Sequence, residues 1–342
     1  MNQKFLLRII ILLNIFFVAF FFINCNAVLP AQQRISMGTV CSINLYSSGS
    51  QELYDKMFQR LEQIDNLFSV NYSDSAVSKI NRAAGNAPVQ VPAEVILVLE
   101  NALQVAKETQ GAFDPTIGAL VKLWGIGTEK QKVPSLSEIS AALELVDYRL
   151  VQIDYEASTV FLPLSGMSID LGGIAKGYAA DQLVQIAKDS GIESALFDLG
   201  GNIYAYGHKE EGSLWRVGIK NPLQPYGSPL AVLSLSNSTV VTSGTYERFF
   251  EVDGIRYHHI LNPKTGFPVQ GDILSVTILG SNSMLADAFS TAVFVLGSDV
   301  GTEFLKVQNC EGIIVLSDKT VFVTDGAREK TEIQLSDFKI QP

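Results

Sequence analysis

Asp287 and Thr291 stand four residues apart in the stretch Ser283-Met-Leu-Ala-Asp-Ala-Phe-Ser-Thr-Ala-Val-Phe-Val-Leu296. On a helix that spacing stacks a carboxylate and a hydroxyl one turn apart. Leu285, Ala288, Phe289, Ala292, Val293 and Leu296 make the apolar face, and the opposite side carries no other charge. An ordinary surface helix would place Lys and Glu there. A carboxylate and a hydroxyl so placed suit a hard cation such as Mg2+. A short solvated stripe fits the same spacing.

A second stretch, Ser168-Ile-Asp-Leu-Gly-Gly-Ile-Ala-Lys-Gly177, ends an apolar strand with Asp170 and opens a helix with Lys176 in its first turn. Adjacent glycines belong where the backbone turns sharply or approaches something closely. A helix start also favours an anion, because its first amide protons lack partners. In Tyr257-His-His-Ile-Leu-Asn-Pro-Lys-Thr-Gly266, His259 sits at a strand end. A general base is often mounted there, and so is a merely packed histidine. Gly111-Ala-Phe-Asp-Pro-Thr116, Phe197-Asp-Leu-Gly-Gly-Asn202 and Val241-Thr-Ser-Gly-Thr-Tyr-Glu-Arg248 read as loops with turn chemistry.

Other chemistries lack their signatures. There is no phosphate-binding G-x-x-x-x-G-K-[ST], no G-x-G-x-x-G after a first strand, no H-E-x-x-H and no G-x-S-x-G. A formal charge of −10, from 25 basic and 35 acidic side chains, argues against a nucleic-acid binder. An anionic ligand must therefore be held locally, by amides, a lysine or a metal.

The elements that position these residues follow from periodicity. Strands are expected at 35–46, 149–154, 159–163, 194–199, 203–207, 214–219, 230–236, 248–252, 255–260, 312–316 and 320–324. Helices are expected at 51–68, 93–110, 135–146, 174–190 and 283–296. This intermixing predicts an α+β (mixed α/β) fold with one catalytic unit of two lobes over 26–342. Residues 1–25 read as a secretory signal, with Lys4 and Arg8 before an apolar run to Ile23 and then Cys25. The expected outcome is lipidation at Cys25 and an extracytoplasmic, periplasmic body anchored to the inner membrane; an uncleaved span is the alternative. Cys41 and Cys310 are expected to be buried thiols.

Taken in order, Met37-Gly-Thr, Gly111-Ala-Phe-Asp-Pro-Thr, Asp170-Leu-Gly-Gly-Ile-Ala-Lys-Gly, Asp198-Leu-Gly-Gly-Asn, Ser243-Gly-Thr-Tyr, His259-Ile-Leu-Asn-Pro-Lys-Thr-Gly and Ala286-Asp-Ala-Phe-Ser-Thr resemble the ApbE family. The resemblance runs from about Met37 to about Gly326. It implies a T-fold-like architecture and an extracytoplasmic, Mg2+-dependent transferase. Such an enzyme passes FMN from FAD to a threonine hydroxyl of an acceptor flavoprotein, here a membrane redox subunit, and AMP leaves. It further implies metal ligands at Gly173 (backbone carbonyl), Asp287 and Thr291. FAD contacts would come from Met37, Ala112, Phe113, Asp114, Asp170, Lys176, His259 and Ile260, with His259 as base.

One position departs from the pattern. After the helix at 51–68 the family usually carries an aromatic residue, whereas Phe68-Ser-Val-Asn-Tyr72 puts Asn71 there and Tyr72 one place later. A polar amide leaves room for water as a competing nucleophile, so hydrolysis of FAD to FMN and AMP stands beside transfer. A non-catalytic FAD-binding or scavenging lipoprotein is the reading from a different class.

Overall fold

The structure, a computed structural model, describes residues 29–46, 49–224 and 226–341. The expected signal segment and Cys25 lie outside the described residues. Nine strands form the central sheet in the order Gln32–Ser36, Thr39–Leu45, Ser194–Leu199, Asn202–Gly207, Ser238–Gly244, Ile273–Gly280, Glu311–Leu316, Thr320–Val323 and Lys339–Gln341. Every pairing is antiparallel except the last, where Thr320–Val323 lies parallel to Lys339–Gln341.

The helices are α1 (Gln51–Phe68), α2 (Ala76–Ala83), α3 (Ala93–Glu108), α4 (Gly118–Trp124), α5 (Leu136–Leu143), α6 (Ala175–Asp189), α7 (Ser283–Leu296), α8 (Ser298–Val307) and α9 (Asp325–Arg328). Side-chain alternation assigns the two faces of the sheet. Val241 and Ile278, paired across two strands, join the core formed with α1, α3, α6 and α7. Their neighbours Val240 and Leu279, also paired, join a second core with Trp215, Val217 and Leu233 of a three-stranded sheet. The result is three layers, with helices on one face of the long sheet and a small sheet on the other. A third cluster of Leu120, Trp124, Ile139 and Leu261 fastens α4 and α5, and the Trp124 indole N–H donates to the Gly266 carbonyl at 2.8 Å.

Most expected elements are present, with shifted ends. The expected strand at 35–46 is two strands, broken at a tight turn where Met37 (φ 52°) and Gly38 (φ 70°) are both left-handed, the two-residue geometry that matches strand twist. The Val241-Thr-Ser-Gly stretch, expected as loop, is the end of the Ser238–Gly244 strand. Ile273–Gly280, α2, α4 and α8 add to the expected set. Cys41 is buried, Cys310 is half-buried, and both thiols are free.

Helices α6 and α7 form the contact that matters for function. Asp181 of α6 grips the start of α7, its two carboxylate oxygens accepting the Ser283 and Met284 amide protons, each at 2.9 Å. Gly177 lies so close that an added Cβ would stand 2.1 Å from the Ser283 carbonyl oxygen. Glycine is therefore what lets the two helices meet.

Candidate active site

A cleft of about 900 Å3 opens where the Met37–Gly38 turn, the α3–α4 link, the α6 entry and α7 converge. Met37, Asn71, Ala112, Phe113, Asp114, Asp170, Gly173, Lys176, His259, Ile260, Asp287 and Thr291 all line it. Every site residue expected from the sequence thus reaches one cavity, from segments as far apart as 37 and 291.

Asp287 faces inward from α7 and is 4% exposed. Its Oδ2 accepts the Gly177 amide proton at 3.0 Å, and its Oδ1 lies 3.7 Å from the Lys176 ammonium. Lys176 also donates to the Gly172 carbonyl at 3.1 Å. A Cβ added to Gly173 would meet Thr291 Oγ1 at 3.3 Å and Phe113 Cε2 at 3.2 Å, so the backbone at 173 runs against the Thr291 hydroxyl. Among the described residues no cluster of three His, Cys, Asp or Glu side chains could hold a metal. A carboxylate, a hydroxyl and a peptide carbonyl suit a hard divalent ion whose remaining positions go to water and substrate phosphates, the usual habit of Mg2+. The residues fit that ion.

Asp170 accepts the Gly172 amide proton at 2.8 Å through Oδ1, which fixes the bend before α6. Burial pushes its pKa up, against the pull of Lys176 and Arg248. The Asp114 carboxylate is engaged within the protein: Oδ1 accepts from the Thr116 amide (2.8 Å) and hydroxyl (2.6 Å), and Oδ2 from the Tyr148 amide (3.2 Å). It shapes the loop that presents Ala112 and Phe113. The Met37 amide donates to Asp65 Oδ2 at 3.0 Å, holding its left-handed backbone in place. Asn71 and Tyr72 both line the cleft, but the Tyr72 phenol stands beside Asp65, whose negative charge raises its pKa.

His259 is tied twice to the carbonyl of Arg248, through its amide at 3.0 Å and its Nδ1 at 3.3 Å. Burial first, and then the Arg248 charge, push its pKa down to about 3. It is a neutral imidazole throughout the physiological range.

Among the lining residues that escaped the sequence reading are Lys220, Glu247 and Arg248. Glu247 and Arg248 close a stretch singled out only as turn-like, and Lys220 follows the Trp215–Ile219 strand with no local signal. The Arg248 guanidinium reaches across to the Gly38 carbonyl at 3.5 Å. It adds a second cation facing the same space as Lys176. Burial raises the Glu247 pKa, opposed by Lys176, Lys220 and Arg248.

Comparison with known proteins identifies the family. The profile described as "ApbE family" matches residues 37–314. The FAD:protein FMN transferase of Treponema pallidum is 38% identical over 329 residues, covering 91% of each chain. That of Klebsiella pneumoniae is 36% identical over 295 residues, 86% of this chain and 91% of the relative. Among solved structures, the ApbE protein of Thermotoga maritima superposes with a TM-score of 0.80 at 34% identity, covering 88% of this chain and 98% of its own. The flavin transferase ApbE of Vibrio cholerae gives 0.79 at 26% identity, covering 88% and 100%.

Proposed function

The chain belongs to the ApbE family, and from that premise we propose that it is an extracytoplasmic FAD:protein FMN transferase that depends on Mg2+. The observation that carries the metal-dependent reading is the meeting of Asp287, Thr291 and the Gly173 backbone beside Lys176 at the floor of one cleft. Bound Mg2+ would neutralise charge on the FAD diphosphate and on the departing AMP.

The chain's own residues do the rest. Lys176 and Arg248 offset phosphate charge in a protein whose overall field repels anions. The free oxygen of Asp170 and the Ala112–Phe113 wall orient the dinucleotide, converting a bimolecular encounter into a positioned one. His259 takes the proton of the incoming hydroxyl; the diphosphate's negative charge raises its low pKa on binding.

Asn71 in the cleft wall supports a second activity of the same site, hydrolysis of FAD to FMN and AMP by an admitted water. The test is product analysis of the full chain with FAD and Mg2+, with and without a threonine-bearing acceptor. Covalent flavin on the acceptor supports transfer, and FMN with AMP in its absence supports hydrolysis. Binding of FAD with neither product would leave a flavin-scavenging lipoprotein. The acceptor is proposed to be a membrane redox subunit, and anchorage is proposed through lipid on Cys25. Incorporation of labelled palmitate that Cys25→Ser abolishes would support that anchorage.

A further inference from the structure

We infer that the part of the cleft built from the Gly200–Asn202 turn, Lys220 and Glu247 is the seat of the acceptor polypeptide, which enters as an extended segment carrying the threonine. This rests on the transferase reading and deepens it. A transferase holds two substrates at once, and the residues assigned to FAD and metal come from the Met37 turn, the α3–α4 link, the α6 entry, His259–Ile260 and α7. None comes from the 200–202 turn, from Lys220 or from Glu247, although these line the same cavity.

Asn202 points to a ligand. It is 1% exposed, its Oδ1 accepts the Ser283 hydroxyl at 2.8 Å, and its Nδ2 has no hydrogen-bond partner among the described residues. A buried donor left unmet is costly, so a native one usually awaits something. A peptide carbonyl satisfies it. Beside it Gly200 (φ 68°) and Gly201 (φ 93°) turn left-handed; Gly200 packs against Thr39, whose Oγ1 would stand 2.2 Å from an added Cβ, and the Asp198 carboxylate accepts the Gly201 amide proton at 2.9 Å. The nearest atom to a Cβ added at Gly201 is Glu247 Oε1, 3.6 Å away. At Gly201 the absence of a side chain lets another main chain approach closely. Beside Gly201, Glu247 offers an acceptor for an amide or hydroxyl proton. Lys220, which lines the same cavity and whose charge acts on Glu247, offers a charge for an acidic neighbour of the threonine. A donor at Asn202 and an acceptor at Glu247, either side of Gly201, match the alternating groups of extended polypeptide.

The probe is a carrier protein displaying one extended segment with an aspartate near a single threonine, with a twin in which valine replaces the threonine so that it binds without reacting. Dissociation constants of the valine carrier and of FAD are measured with the full chain and with Asn202→Ala and Lys220→Ala. Lys220→Ala guards against loss of folding in Asn202→Ala. The expected result is that each variant weakens the carrier at least tenfold more than it weakens FAD. Weakening of FAD alone, of both equally, or of neither, while the wild-type chain labels the threonine carrier, overturns the assignment. If the wild-type chain binds FAD and Mg2+ but labels no threonine carrier, it is the transferase reading itself that fails.

Discussion

The backbone amide of Gly177 donates to Asp287 Oδ2 at 3.0 Å, so the one carboxylate expected to hold the metal is aimed by a different helix from the one that carries it. The α6–α7 contact therefore sets the geometry of the site. Gly177→Ala would drive a methyl into the Ser283 carbonyl. The expected cost is about 1–3 kcal/mol of stability, the usual penalty for overpacking. Urea titration reads that loss, and the Mg2+ concentration for half-maximal turnover should rise with it.

Thr291→Val keeps the side-chain shape and deletes the oxygen beside Gly173. Even indirect support of a metal ligand is worth about 10–100-fold in affinity or activity, so at least a tenfold rise in the Mg2+ requirement is expected. Thr291→Ser should restore most of it. Unchanged Mg2+ titrations in Thr291→Val would remove this hydroxyl from the ligand set.

Asn71→Tyr restores the aromatic ring at the cleft wall. Release of FMN and AMP without acceptor should fall while labelling of a threonine acceptor persists, both followed by chromatography of the flavin products. An unaltered ratio of hydrolysis to transfer would show that Asn71 does not admit the water.

His259 gives a signed pH expectation. Its folded pKa of about 3 lies below the ordinary histidine value of about 6.5, so the native state binds fewer protons between those values. Its contribution to stability therefore rises with pH across that window and is lost in acid. Thermal melts of His259→Gln should show a shallower acid slope. The acid limb of kcat/KM, which reports the free enzyme, should not fall at pH 6.5 through this residue.

Asp181 has the opposite sign. Burial raises its pKa to about 6, above the roughly 4 of an unfolded aspartate. Its contribution is fully present below pH 4 and declines as pH rises through 6. Asp181→Asn should remove that downward component from the melting temperature, while disturbing one of the two amide contacts at the start of α7.

Amphipathic elements were the most legible part of the chain. Leu53, Met57, Leu61, Ile64 and Phe68 mark α1 because one face is buried and the other wet, and the helix spans the expected 51–68. The Ile273–Gly280 strand is buried on both faces, so it has no alternation to read. Asp287 and Thr291 were legible because a lone carboxylate and hydroxyl on an otherwise apolar helix break its pattern. Asp114 was legible as a residue of the cleft, while its hydrogen bonds with Thr116 and Tyr148 emerge only from the folded geometry. Lys220 and Arg248 were hidden for a simpler reason: an isolated cation on a loop or strand end looks like any solvated one until the walls around it close.

The strand Gln32–Ser36 runs straight into the Met37 turn at the cleft rim, and five residues of strand measure only about 17 Å. An attachment upstream of Gln32, such as the one proposed at Cys25, would therefore be coupled through that short strand to the direction in which the opening looks. Fastening the chain there would also aim it.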